Sequence, residues 1–125
     1  MDFKIDTRDT FTAITPVADE ISANLSDELH VTIQKMRQSG SHNFIVDLQH
    51  CENITPEAIA GLQDLHADSY SLGQSLVFTG AKRNVLAAIK ENEADDLINL
   101  APTMIEAIDI ISMEILERDL FGEEG

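Results

Sequence analysis

At 125 residues the chain is long enough for about one domain with a real core that needs no disulfide or metal, and 43% apolar residues is too many for a disordered segment. Its 23 acids against 8 bases give a net charge of -15, which argues against nucleic acid or anionic lipid as a direct partner, because both repel such a surface. No apolar run approaches the ~20 residues of a membrane helix, so no membrane insertion is expected.

The stretch from Met1 to Asp6 has neither a basic start nor an apolar core, and no secretory signal is read there. The single Cys51 forms no internal disulfide and fits a reducing cytoplasm, the expected compartment. Phe3-Lys4-Ile5 and Phe11 to Thr15 are short alternating segments around the turn-like Thr7-Arg8-Asp9-Thr10, which predicts a β-hairpin. Pro16 stops the second strand from continuing as a central one. Leu25, Leu29, Ile33 and Met36 recur at spacings of four and three, the stripe of a first helix, and Gly40 is its left-handed cap. Phe44 to Leu48 is a near-continuous apolar run, as in a strand covered on both faces.

A second helix opens at Thr55-Pro56. The Thr55 hydroxyl is suited to accept a free amide proton of the first turn. Pro56 suits the first helical position, where no intrahelical proton is needed, and Glu57 complements the helix dipole. Ala58, Leu62, Leu65, Ser69 and Leu72 form its stripe. Ser75 to Gly80 reads as another buried strand. Lys82 to Ile89 reads as a short helix with Val85, Leu86 and Ile89 inward, and Asp95 to Leu100 holds a minor strand. A last helix starts at Pro102-Thr103, with Met104, Ile108, Ile111 and Ile115 inward. It should run past Ile115 and leave Leu116, Leu120 and Phe121 partly exposed, a leftover patch that points to a homodimer. Strands alternating with helices make an α/β domain around a mixed sheet of four or five strands with about four helices. That domain is expected over residues 1–120, with 121–125 a flexible tail.

No catalytic constellation emerges. His30, His42, His50 and His66 lack ligand spacing. His50 and Cys51 are adjacent on a strand end and point to opposite faces, so they make neither a metal site nor a nucleophile pair. The six glycines are scattered, without a phosphate loop. No cofactor or metal is expected, and a small enzyme is the weakest reading. Lys82-Arg83 is the one basic pair inside the fold, read either as solvated or as a contact for an anion or an acidic partner. Between Glu91 and Gly125 stand 11 acids and one base, Arg118. This is either a solvated surface or a face that steers a basic protein partner.

The run Asp47 to Leu62, together with Val46-Asp47-Leu48, Leu76 to Gly80 and Asp95 to Ala107, resembles in order and spacing the STAS domain, the fold of bacterial anti-sigma-factor antagonists. The resemblance covers roughly residues 3 to 116. It implies a non-enzymatic binding module that docks on an anti-sigma factor or a related kinase of ATPase-like fold. Contact would run through the strand-to-second-helix loop, here Asn53, Thr55, Pro56 and Glu57, and through the faces of the second and third helices. Family members usually carry Asp-Ser at that helix opening, the Ser accepting a phosphate that breaks the complex. Here Thr55 and Pro56 stand in those places, and Ala58 stands where the family has a Gly. Asp19 and Ser22 stand where the family tends to have Gly and Asp before the first helix. Thr55 is then either a cap or a phosphoacceptor one position early, and Glu57 either a first-turn acid or a phosphate mimic. An adaptor subunit of a lipid- or anion-transport complex is the alternative function.

Overall fold

The computed structural model describes residues 2–122. Its elements run β1 (Phe3–Thr7), β2 (Thr12–Pro16), β3 (Glu20–Ile21), α1 (Ala23–Gln38), β4 (Phe44–Asp47), β5 (Asn53–Ile54), α2 (Pro56–Ser71), β6 (Leu76–Thr79), α3 (Arg83–Glu91), β7 (Leu100–Ala101) and α4 (Met104–Gly122). Five strands form one mixed sheet in the order β1-β2-β4-β6-β7. Only β1 is antiparallel to its neighbour. Pro16 ends the ladder as expected: β2 pairs with β4 only from Thr12 to Ile14, while Pro16 faces Phe3 of the edge strand, where its missing N–H costs nothing.

The apolar runs of β4 and β6 are buried because both faces of the sheet are covered. Phe44, Val46, Leu76 and Phe78 face the side on which Leu25, Leu29 and Ile33 of α1, Ala58, Leu62 and Leu65 of α2, and Val85 and Ile89 of α3 pack. Ile45 and Val77 face the other side, where they pack with Ala107 and Ile111 of α4. Period-2 alternation thus splits each central strand between two cores.

Several expectations shift. The minor strand is Leu100–Ala101, not Asp95 onward, and it pairs in parallel with Phe78 and Thr79 of β6. Leu86 and Leu72 are exposed, at 43% and 58%. Leu86 lies within α3, and Leu72 is the residue that caps α2 after its last turn. Helix α4 continues through Phe121 and Gly122; residues 123–125, the rest of the expected tail, lie outside the described residues. The two-residue strands β3 and β5, which pair in parallel with each other, have no counterpart in the sequence reading. No helix among the described residues is long and apolar enough to cross a membrane.

Candidate functional site

The small β3–β5 ladder assembles the candidate site. Glu20 pairs with Asn53 and Ile21 with Ile54. The Asp19 carbonyl accepts from the amides of Glu52 at 2.6 Å and Asn53 at 3.2 Å, and the Ile21 carbonyl accepts from Thr55 N at 3.0 Å. The segments before α1 and α2 are therefore bound side by side, although 33 residues separate the paired positions. Each then opens into a helix through a hydroxyl cap. Ser22 Oγ accepts from Leu25 N at 3.2 Å, and Thr55 Oγ1 accepts from Ala58 N at 3.2 Å. Both cap residues hold extended backbone, as an N-cap requires. Pro56 follows at the start of α2. The result is two adjacent helix amino termini, each with a positive dipole end.

Of the residues singled out from sequence, Asp19, Ser22, Asn53, Thr55, Pro56 and Glu57 are brought together here. Asn53, Pro56 and Glu57 are exposed, and Thr55 is half-buried beneath them. Lys82 joins the group through a partner that sequence reading missed: its Nζ pairs with Glu52 Oε1, in the loop leading to β5. Both side chains are roughly half exposed, so the pair orders the rim and adds little stability. A signal for it existed only as charge sign, since the two residues lie 30 apart. Arg83 opens α3 beside Lys82 and is exposed; among the described residues no hydrogen bond or ion pair is seen that ties it to the loop.

The turn out of the sheet depends on Asp47. Its Oδ1 accepts from Gln49 N at 3.1 Å and its Oδ2 from Gln49 Nε2 at 2.8 Å, which bends the chain away from β4. Gly80, at the matching end of β6, has φ +70, and a Cβ there would stand 2.6 Å from Asp47 Oδ1. A residue without a side chain is needed on both counts.

Beneath the loop Cys51 is fully buried. Burial is the main cause that pushes its thiol up to about 11; Lys82 acts in the opposite sense, and Asp19, Asp47 and Glu52 add to the rise. A thiol held protonated is a poor nucleophile, and adjacent His50 points to solvent. Among the described residues no group of three or more His, Cys, Asp or Glu side chains is placed to hold a metal. What the site offers is an exposed rim, with Asn53, Pro56 and Glu57 at the surface, over two helix openings.

No protein-family model matches the chain, and no curated protein matches it in sequence. Its fold, however, recurs in solved structures. An anti-sigma-factor antagonist (STAS) domain protein from Planctomyces limnophilus superposes with a TM-score of 0.74 at 14% identity, over 90% of this chain and 99% of that one. An anti-sigma factor antagonist from Mycobacterium paratuberculosis gives 0.69 at 16% identity, over 89% and 93%. The anti-sigma factor antagonist SpoIIAA in its unphosphorylated form gives 0.69 at 12% identity, over 89% and 96%. With a mixed five-stranded sheet, three helices on one face and a long last helix on the other, the chain has the STAS fold of the anti-sigma-factor antagonists.

Proposed function

We propose that this chain is a non-enzymatic regulatory binding module of the cytoplasm. It docks on an anti-sigma factor or a related kinase of ATPase-like fold and so acts in transcriptional control. Docking uses Asn53, Thr55, Pro56 and Glu57, with Asp19, Ser22, Lys82 and Arg83 at the border. The observation that carries the reading is the assembly of six of these residues by the β3–β5 ladder at an exposed helix opening. The STAS fold supports it, since proteins of that fold are described as anti-sigma-factor antagonists.

Pro56 stands at the place of the phosphoacceptor in the family pattern and has no hydroxyl. Phosphorylation-driven release at that position is therefore absent, and docking is constitutive or governed by the partner's own state. Thr55 serves as the cap of α2. Its hydroxyl nevertheless sits beside free first-turn amides, where an anion is stabilised.

Calorimetric titration against the cognate anti-sigma kinase tests the reading. The expected result is binding at micromolar or lower concentration that is lost on Glu57→Arg and unchanged after incubation with ATP. No binding of the unmodified chain at about 100 µM, a weak affinity by any standard, refutes the partner. A phosphate mapped to Thr55 by intact mass and peptide analysis refutes the lost switch.

A further inference from the structure

Helix α4 is apolar on two sides, and among the described residues only one of them packs against the sheet. Ala107 and Ile111 are buried against Ile45 and Val77, with Met104, Ile108 and Ile115 packed around them. On the far side Ile105 is 74% exposed, Met113 62%, Leu116 58% and Leu120 57%. At 3.6 residues per turn these four fall within about 80° of one another and run for about 22 Å along the axis. They line one face rather than scatter over the helix, with Asp109 interrupting the row between Ile105 and Met113, and an exposed apolar row of this length in water is the mark of a contact surface.

The charges around the ridge restrict what covers it. Asp109 lies within the stripe, Glu106 and Glu117 along one border, and Asp119 along the other, by the same helical spacing. All four are exposed, and none takes part in an ion pair among the described residues. The helix's single base, Arg118, is turned inward, where it donates to Asn43 Oδ1 and Ser75 Oγ, both at 3.0 Å. A second copy of the chain would set this acidic border against its own like and bring together two molecules of net charge -15, which is unfavourable. An anionic lipid surface is repelled for the same reason.

We propose that the outer face of α4 is a docking surface for an amphipathic helix of a second protein, one whose apolar stripe is flanked by Lys and Arg. The stripe buries Ile105, Met113, Leu116 and Leu120, and the flanking cations meet Glu106, Asp109, Glu117 and Asp119. Because α4 covers the sheet face opposite α1, α2 and α3, this surface is separate from the loop at Thr55, and the proposal stands independently of what that loop binds.

The test uses the full chain and three labelled synthetic peptides of about 18 residues, long enough to span the ridge as helices. One has a leucine stripe flanked by Lys and Arg. One has the same composition scrambled to destroy the stripe, and one has the stripe flanked by Glu. Fluorescence anisotropy is expected to give saturable one-to-one binding of the first peptide, about tenfold or more tighter than of either control, and weakening as salt is raised from about 50 to 300 mM. Leu116→Asp should weaken it about tenfold with the thermal melt unchanged, as its site is exposed. The pair Asp109→Lys and Glu117→Lys should shift preference toward the Glu-flanked peptide. Equal binding of the scrambled peptide, indifference to Leu116→Asp, or no binding at about 200 µM overturns the proposal. A sedimentation dimer that Leu116→Asp dissociates also overturns it, by assigning the face to a second copy.

Discussion

Replacing Gly61 with Ala should destabilise this protein, although the same change on an exposed helix stabilises by about 1 kcal/mol. Gly61 lies in α2 against Ser26 of α1. A Cβ at position 61 would stand 2.0 Å from Ser26 Oγ and 3.0 Å from Ser26 Cβ. The hydroxyl can rotate away, but the Cβ can recede only if the helices separate. Ser26 is buried at 4% exposure, and both neighbouring stripes are in the core. Overpacking of this kind costs about 1–3 kcal/mol. Set against the helix-propensity gain of about 1 kcal/mol, a value from the upper half of that range leaves a net loss of roughly 1–2 kcal/mol. For a chain of this length the unfolding entropy is about 0.26 kcal/mol per kelvin, so the melting temperature should fall by about 4–8 °C. Differential scanning calorimetry on Gly61→Ala, Ser26→Gly and the double variant measures this directly. Ser26→Gly removes both obstructing atoms, so the double variant should be more stable than the sum of the single effects by about 2 kcal/mol. A rise in melting temperature for Gly61→Ala, or strict additivity of the two changes, would refute the close-approach argument. The contact also bears on function, since the α1–α2 spacing keeps the caps at Ser22 and Thr55 side by side.

Thr55→Ala should lose about 1 kcal/mol in urea unfolding through the missing cap, while Thr55→Ser keeps it; equal stability of all three chains would remove the cap assignment. Burial lowers the pKa of His66, with Glu114 acting in the opposite sense, so the folded state resists protonation there. Stability from this group is full at higher pH and is lost as pH falls through the ordinary histidine value of 6.5, because the unfolded chain then binds more protons. Urea midpoints measured at pH 7.5 and 5.5 should converge in His66→Gln relative to the parent, and an unchanged pH slope would be contrary evidence. With its thiol raised to about 11, Cys51 should react with a disulfide reagent at pH 8 at a small fraction of its rate in urea, as only about one thiol in a thousand is ionised; equal rates in the folded and unfolded chain would contradict its burial. Tyr70 donates to Glu114 Oε1 at 2.7 Å and accepts from Asn99, so Tyr70→Phe should cost about 1–2 kcal/mol by leaving those groups short of a partner.

What the sequence by itself determined was local or periodic. The stripes of α1 and α2, the N-cap and proline at Thr55-Pro56, the hairpin and the doubly covered runs of β4 and β6 all follow from spacings within a few residues. So did the exposure of Leu116, Leu120 and Phe121, because apolar residues continue at helical spacing beyond the part of the helix that the sheet can cover. The STAS order was legible for the same reason, as a succession of such elements.

Tertiary structure decided what depends on segments distant in the chain. The β3–β5 ladder is two residues long on each side. No periodicity exists at that length, and only the alignment of two loops creates it. The Lys82–Glu52 pair, the Gly61–Ser26 contact and the inward turn of Arg118 toward Asn43 and Ser75 each join residues 30 or more apart. The minor strand moved from Asp95 to Leu100 because strand identity there is set by pairing with Phe78 and Thr79 of the distant β6, not by side-chain pattern. Periodicity tells which face of an element is apolar. Which other element covers that face, and whether any does, is settled only when the whole sheet has closed its hydrogen bonds and the outer face of α4 is left over.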